Sequence, residues 1–232
     1  MNIKHTNTPI KTVVITGANR GIGLAMVALY AHQDCQVIAL CRQSSPKLEA
    51  LSDHNIDIVE GVDVATESGI LTMLSAIKTR KVDILINNAG ILRDENLQNL
   101  NLQTIADQFQ VNAVAPLRVC QALLSNLSSG SKIALITSRM GSIADNGSGG
   151  RYGYRMSKAA LNAAGVSLAK DLAKDNIAVG IYHPGYVQTD MVNHNGDISS
   201  DVAATRIVNL IEELTMEDSG VFRHSNGEVL PW

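Results

Sequence analysis

Thr12-Val13-Val14-Ile15-Thr16-Gly17-Ala18-Asn19-Arg20-Gly21-Ile22-Gly23 joins a short β-branched run to a turn with three glycines, and a helical pattern runs on from Ile22 to His32. An apolar run without polar alternation suits a strand buried on both faces. Glycines in the turn let backbone come close to a ligand, and the helix N-terminus behind them presents unpaired N–H groups. Strand, turn and helix together make an anion site of the kind that holds a pyrophosphate. The plain alternative is a tight strand–helix turn that binds nothing. The spacing is G-x-x-x-G-x-G, whereas the commoner dinucleotide fingerprint is G-x-G-x-x-G.

The same alternation continues along the chain. Strands are expected at Gln36 to Cys41, Ile56 to Val59, Val82 to Ile86, Lys132 to Ser138, Ile177 to Tyr182 and Gly220 to Arg223. Between them lie helical patterns at Pro46 to Ser52, Glu67 to Thr79 (capped by Thr66), Leu97 to Leu127, Ser157 to Lys174 and Ser200 to Leu214. Arg139 to Gly153 reads as a glycine-rich loop, Asn226-Gly227 as a turn, and residues 1–10 as a loose arm. Strands alternating with helices predict a parallel sheet covered on both faces. The expectation is α/β: a single Rossmann-type, doubly wound domain of about seven strands over 1–232.

Composition excludes several classes. The 232 residues are 45% hydrophobic, enough for one sizeable core, and the net charge is −3 without a dense Lys/Arg block. Neither nucleic acid nor an anionic membrane is expected as a partner. Aromatics are 3%, too few for base-stacking platforms. Cys35, Cys41 and Cys120 lack metal-ligand spacing and read as free thiols of a reducing compartment. No secretory signal or membrane-spanning run is recognisable, so a cytoplasmic location is expected.

Tyr154-Arg155-Met156-Ser157-Lys158 carries the second chemical signal. Residues one helical turn apart share a face, so Tyr154 and Lys158 can reach one site. An ammonium near a phenol favours the phenolate, which would lower the tyrosine pKa and fit it for acid/base work near neutral pH. Alone, Y-x-x-x-K is more often a solvated helix face.

Thr16 to Gly23, Asn87-Asn88-Ala89-Gly90, Asn112, Ser138 with Tyr154 and Lys158, and Pro184-Gly185-Tyr186-Val187-Gln188-Thr189 follow one another in the order found in the short-chain dehydrogenases/reductases, and the chain resembles that family from Thr12 to about Arg223. Ser138-Arg139-Met140-Gly141-Ser142 and the Pro231-Trp232 end resemble its carbonyl-reductase-like branch, which includes C-signal and sniffer-type proteins. The resemblance implies that Gly17, Asn19, Arg20, Gly21, Ile22 and Gly23 cradle the dinucleotide. Asp63 and Val64 would meet the adenine, and Asn88, Ala89 and Gly90 would let the chain pass close to the cofactor. Pro184, Gly185, Val187 and Thr189 would cover the nicotinamide. By the same resemblance Tyr154 is the general acid/base, Lys158 lowers its pKa and bonds the nicotinamide ribose, Ser138 orients the carbonyl, and Asn112 holds a helix kink and a relay water. The Ser138–Tyr154 spacing is longer than the family's commoner one, and Ser142 is the fallback.

The second strand ends in Cys41-Arg42 where an NAD site often has an acidic residue. Arg42, with Arg20, could flank a 2′-phosphate through paired N–H bonds, so NADP(H) is preferred and NAD(H) is possible. His183 is read as structural. Val192 to Ile198 leaves room for only a short lid, hence an open site. Trp232 is expected to pack or to line a subunit contact. No metal is implied.

The expected function is an NADPH-dependent oxidoreductase acting on a small carbonyl or alcohol, assembled as a homodimer or homotetramer as relatives are. A nucleotide-sensing signalling protein on the same fold is the second reading, and a non-redox epimerase or dehydratase the third. Fold alone does not separate them.

Overall fold

β1 (Thr12–Thr16) is flanked on both sides by parallel strands, β2 (Gln36–Leu40) and β4 (Ile84–Asn87). Val13, Val14 and Ile15 are wholly buried, which accounts for a run with no polar alternation. The computed structural model describes residues 10–52 and 55–232. The arm expected over residues 1–10 therefore lies, except for Ile10, outside the described residues. β3 (Ile56–Val59), β5 (Lys132–Ile136), β6 (Ala178–His183) and β7 (Phe222–His224) complete one sheet in the order β3-β2-β1-β4-β5-β6-β7. All the pairings are parallel.

Alternate residues feed two cores. Val13, Ile15, Val37 and Ala39 pack with α1 (Gly21–His32), α2 (Pro46–Glu49) and α7 (Ser200–Glu213). Val14, Ile38, Leu85 and Leu135 pack with α3 (Glu67–Ile77), α5 (Ala115–Ala122) and α6 (Tyr152–Asp171). α4 (Leu102–Phe109) lies against α6. The strand order reverses between β1 and β4, which opens a crevice at the carboxyl ends of these strands. Among the described residues no helix is long and apolar enough to cross a membrane.

Several elements differ from expectation; α2 ends at Glu49, β5 at Ile136 and α6 at Asp171, each short of the expected end. The helical stretch Leu97 to Leu127 is broken into α4, a π-helical turn at Gln110–Val114, α5 and a 3₁₀ turn at Leu124–Asn126. α6 opens at Tyr152, ahead of Ser157, because Gly153, a poor helix former, is held in its first turn by neighbours distant in sequence. The last strand is β7, shifted toward the C-terminus of Gly220 to Arg223, with His224 opposite His183. Trp232 packs on Phe222, ring centroids 5.4 Å apart.

Candidate active site at the carboxyl ends of the strands

The glycine turn after β1 is held by close backbone contact. A Cβ at Gly17 would lie 2.9 Å from Ala89 Cα, and one at Gly23 would lie 2.2 Å from Gly17 O. Neither position accepts a side chain, so the turn can lie flat under a ligand. Asn88 locks it. Its Nδ2 donates to Thr16 O (3.0 Å) and Gly17 O (3.1 Å), while Asn88 N and Ala89 N donate to Thr16 Oγ1. The segments expected to hold the dinucleotide thus meet at the switch point. Asn19 Nδ2 donates to Gln43 O (2.9 Å), tying the turn to the end of β2.

The loop after β6 reaches back over this cradle. Val187 is buried and bridges Ile198, and a Cβ at Gly21 would lie 3.3 Å from Thr189 Cγ2. Pro184 and Gly185 form the turn that starts it, with Gly185 at φ +98. Gln188 N donates to Ile198 O and Asp197 N to Tyr186 O, so the expected short lid is folded back on itself.

Arg20 Nη1 pairs with Asp190 Oδ2 at 3.1 Å, an exposed ion pair between the glycine turn and the β6 loop. Arg42, at the end of β2, is exposed. Nearby, the buried Ser44 Oγ has no hydrogen-bond partner. Asp63 Oδ1 accepts from Ala65 N (3.0 Å), whereas Thr66 caps α3; Val64 beside Asp63 is buried.

Across the crevice, Asn112 is buried inside the π-helical turn. That turn interrupts the regular α-helix at the position where a kink is expected. Asn112 Oδ1 accepts from Ile91 N, and its Nδ2 donates to Ile91 O and to Ser157 Oγ (3.0 Å). Ser157 Oγ donates to Tyr154 O (2.8 Å), so Ser157 links Asn112 to the tyrosine's own backbone. The sequence reading missed Ser157; a serine inside an otherwise small and apolar helix face was its only signal. A Cβ at Gly90 would lie 3.3 Å from Asn112 Oδ1 and 3.8 Å from Lys158 Nζ. Gly90 therefore keeps a gap between these two groups.

Tyr154, Lys158 and Ser138 come together as expected. All three are buried, and Lys158 Nζ lies 5.8 Å from the Tyr154 ring centroid. The Ser138 hydroxyl faces the Tyr154 phenol and accepts from Met140 N (3.2 Å). Ser142 instead accepts from Asp145 N in a turn, so the longer spacing leaves Ser138 in place.

The electrostatics differ from expectation. Burial raises the Tyr154 phenol above its usual value; the Ser138 hydroxyl and the Arg151 guanidinium work against that. Lys158 is not among the groups that lower it, because its Nζ donates to Ile136 O (2.8 Å) and is itself desolvated. Burial brings Lys158 down to about 8. His183 is pushed down to about 3, first by burial and then by His224, whose ring meets it edge-on at 5.0 Å. A ring that stays neutral and packed agrees with a structural role.

A cavity of about 300 Å³ lies between α7 and β7, lined by Leu210, Leu214 and the Arg223–Asp218 pair. None of the expected site residues lines it. The three cysteines are free and buried, and desolvation first of all raises each thiol.

A parallel sheet with a glycine cradle at its switch point and a Ser–Tyr–Lys cluster across the crevice defines a nucleotide-binding α/β protein. The family model for short chain dehydrogenase matches residues 11–198, and the chain belongs to that family of oxidoreductases. It is 34% identical over 229 residues to the 1-hydroxy-2-glutathionyl-2-methyl-3-butene dehydrogenase of Rhodococcus sp. (strain AD45), covering 96% of this chain and 100% of that one. It is 41% identical over 157 residues to C-signal of Myxococcus xanthus, covering 66% of this chain and 95% of that one. Among solved structures, the NADPH-bound carbonyl reductase from chicken fatty liver superimposes with a TM-score of 0.87 at 30% identity, covering 97% of this chain and 100% of that one.

Proposed function

We propose that this chain is an NADPH-dependent reductase of small carbonyl compounds. The observation that carries the reading is the meeting of Ser138, Tyr154 and Lys158 across Gly90 from a turn that only glycine can form. The cradle of Gly17 and Gly23, which a Cβ would fill, and the N-terminus of α1 fit a dinucleotide pyrophosphate. Arg42 and the unpartnered Ser44 hydroxyl fit the 2′-phosphate of NADP(H). NADP(H) bound in relatives of this fold, as in the chicken enzyme, agrees with this. NAD(H) is the second cofactor reading, because the Glu60 carboxylate accepts from Ser44 N (2.5 Å) and would repel a 2′-phosphate.

Bound nicotinamide supplies and accepts the hydride. The residues of the chain handle the oxygen. Ser138 orients a carbonyl oxygen by a hydrogen bond. Tyr154, protonated at neutral pH, gives its proton to that oxygen as charge develops and takes one back in the oxidative direction. Such acid/base help is worth about 10²–10⁴ in rate. Lys158 is anchored on Ile136 O and keeps further N–H donors for the cofactor's ribose. Asn112 fixes the kinked helix against Ser157 and holds the relay water that the family resemblance implies.

The folded-back lid leaves the substrate side open, which favours loose discrimination. A homodimer or homotetramer belongs to this reading. The exposed Leu117 and Leu124, beside a groove of about 430 Å³ that also includes Val114 and Leu168, support a contact through α5 and α6. A cytoplasmic site of action rests on the free thiols.

The test is oxidation of NADPH and NADH over a panel of aldehydes, diketones and quinones. The reverse reaction is run on a hydroxy-glutathionyl compound of the kind in the Rhodococcus relative's name. Turnover with NADPH that falls about 10²–10⁴-fold in Tyr154→Phe is expected. Turnover with NADH alone would overturn the role of Arg42. Tight cofactor binding with no turnover would favour the nucleotide-sensing reading.

A further inference from the structure

α6 begins without a cap of its own. Arg151 precedes it in the left-handed conformation (φ 51, ψ 46) and its side chain makes no capping bond. The first-turn N–H groups of a helix need acceptors from elsewhere. Here the first turn holds Gly153 and Tyr154, so its position sets where the phenol stands.

Glu95 supplies the acceptor. It lies in the segment between β4 and α4 and is 4% exposed. Its Oε2 accepts from Gly153 N (3.3 Å), and its backbone carbonyl accepts from Arg151 N (2.8 Å). The other oxygen is gripped by α4: Oε1 accepts from Thr104 Oγ1 (2.6 Å) and Gln108 Nε2 (2.7 Å). Gln108 is wholly buried, and its Oε1 accepts from Arg93 N (2.9 Å). The helices are close enough that a Cβ at Gly153 would lie 2.4 Å from Gln108 Nε2 and 3.0 Å from Ile105 Cα. A buried carboxylate is costly unless hydrogen-bonded; here three side-chain and backbone donors converge on it, and a helix N-terminus favours its charge.

We propose that Glu95 is a positioning residue for Tyr154: its carboxylate is the cap that α6 lacks, and it ties the first turn of the tyrosine's helix to α4. The tyrosine's catalytic role rests on the reading above, while the clamp does not. Glu95 touches no reacting atom; it acts through Gly153. Misplacing a reacting group by about 1 Å can cost on the order of 10² in rate.

Glu95→Gln is the incisive variant. An amide keeps one acceptor and turns the other end into a donor. If its oxygen stays with Thr104 and Gln108, its NH₂ faces Gly153 N, donor against donor. Thr104→Val weakens the grip from the other side and leaves the charge. Wild type and both variants are compared by hydrogen exchange of residues 151–158, by kcat and KM, and by thermal midpoint. In Glu95→Gln, exchange over 151–158 rises while the sheet stays protected, kcat falls about 10–100-fold, and the cofactor KM moves less than about 2-fold. Thr104→Val changes both in the same direction by less, and it carries the test if Glu95→Gln does not fold. Unchanged exchange over 151–158, or faster exchange everywhere in step with a lower melting midpoint, overturns the proposal, as does a kcat that does not fall. If wild type turns over no carbonyl, the enzymatic reading fails, and the exchange measurement still decides the clamp.

Discussion

The turn after β1 and the loop from Ser142 to Arg151 are both rich in glycine, yet an added Cβ would meet different surroundings in each. At Gly17 and Gly23 it would run into backbone at 2.9 and 2.2 Å. At Gly147, Gly149 and Gly150 it would find nothing within 4 Å. The first loop is glycine because chain is packed against chain. The second is open at its glycines, and hydrogen bonds shape it, among them Arg139 to Asp145, Arg151 to Asp94 (2.7 Å), Arg155 to Ser148 (2.8 Å), Ala144 N to Trp232 O (2.8 Å) and Arg151 N to Glu95 O (2.8 Å). The glycine turn after β1 is therefore fixed by packing, and the Ser142 to Arg151 loop by hydrogen bonds and ion pairs that leave its glycines free.

The largest expected effect comes from Gly23→Ala. Its Cβ has no room against Gly17 O, so stability falls by about 3 kcal/mol or more and dinucleotide binding is lost. Thermal melting and a fluorescence titration with NADPH measure both; binding as in wild type would remove the contrast between the loops.

The next effect concerns Lys158. The folded lysine releases its proton at about 8, the unfolded one at its ordinary 10.5. Between these values the unfolded chain holds the extra proton, so this group makes stability rise with pH, and the gain is lost as pH falls through 8. Below pH 10, where unfolded tyrosines keep their protons, the slope approaches about 1.4 kcal/mol per pH unit. Comparing melts of wild type and Lys158→Met from pH 7 to 10 isolates it; identical slopes would mean that Lys158 is not desolvated.

Gly149→Ala should cost about 1–2 kcal/mol, because φ is +64 although space is free. Gly147→Ala, with neither constraint, should stay within about 0.5 kcal/mol. Denaturant unfolding ranks the pair, and a large loss at Gly147 would show that the open loop is packed after all.

The contrast also explains what could be read from sequence. β1 and its glycines are legible because a strand buried on both faces and a turn touching backbone leave little choice of residue. Tyr154 and Lys158 are legible because one helical turn fixes their spacing. The ion pair of Arg20 is not, since its partner Asp190 is 170 residues away and both are exposed. Nor is the burial of Glu95 and Gln108, which read as ordinary surface residues until α4 and α6 close on them. The Tyr154 phenol was expected below its usual value and lies above it; neighbouring charge can be read from sequence, but desolvation depends on the packed core.

The bonds from Asn88 to Thr16 and Gly17 join residues about 72 apart, across the sheet pairing with the greatest sequence separation. In folding terms the cradle is a long-range contact, whose loop entropy must be overcome before β1 and β4 gain from meeting. A nucleotide seated there would rest against both halves of the sheet. It would act as a staple on the chain's topology, and the native state would gain stability with the logarithm of nucleotide concentration above its dissociation constant.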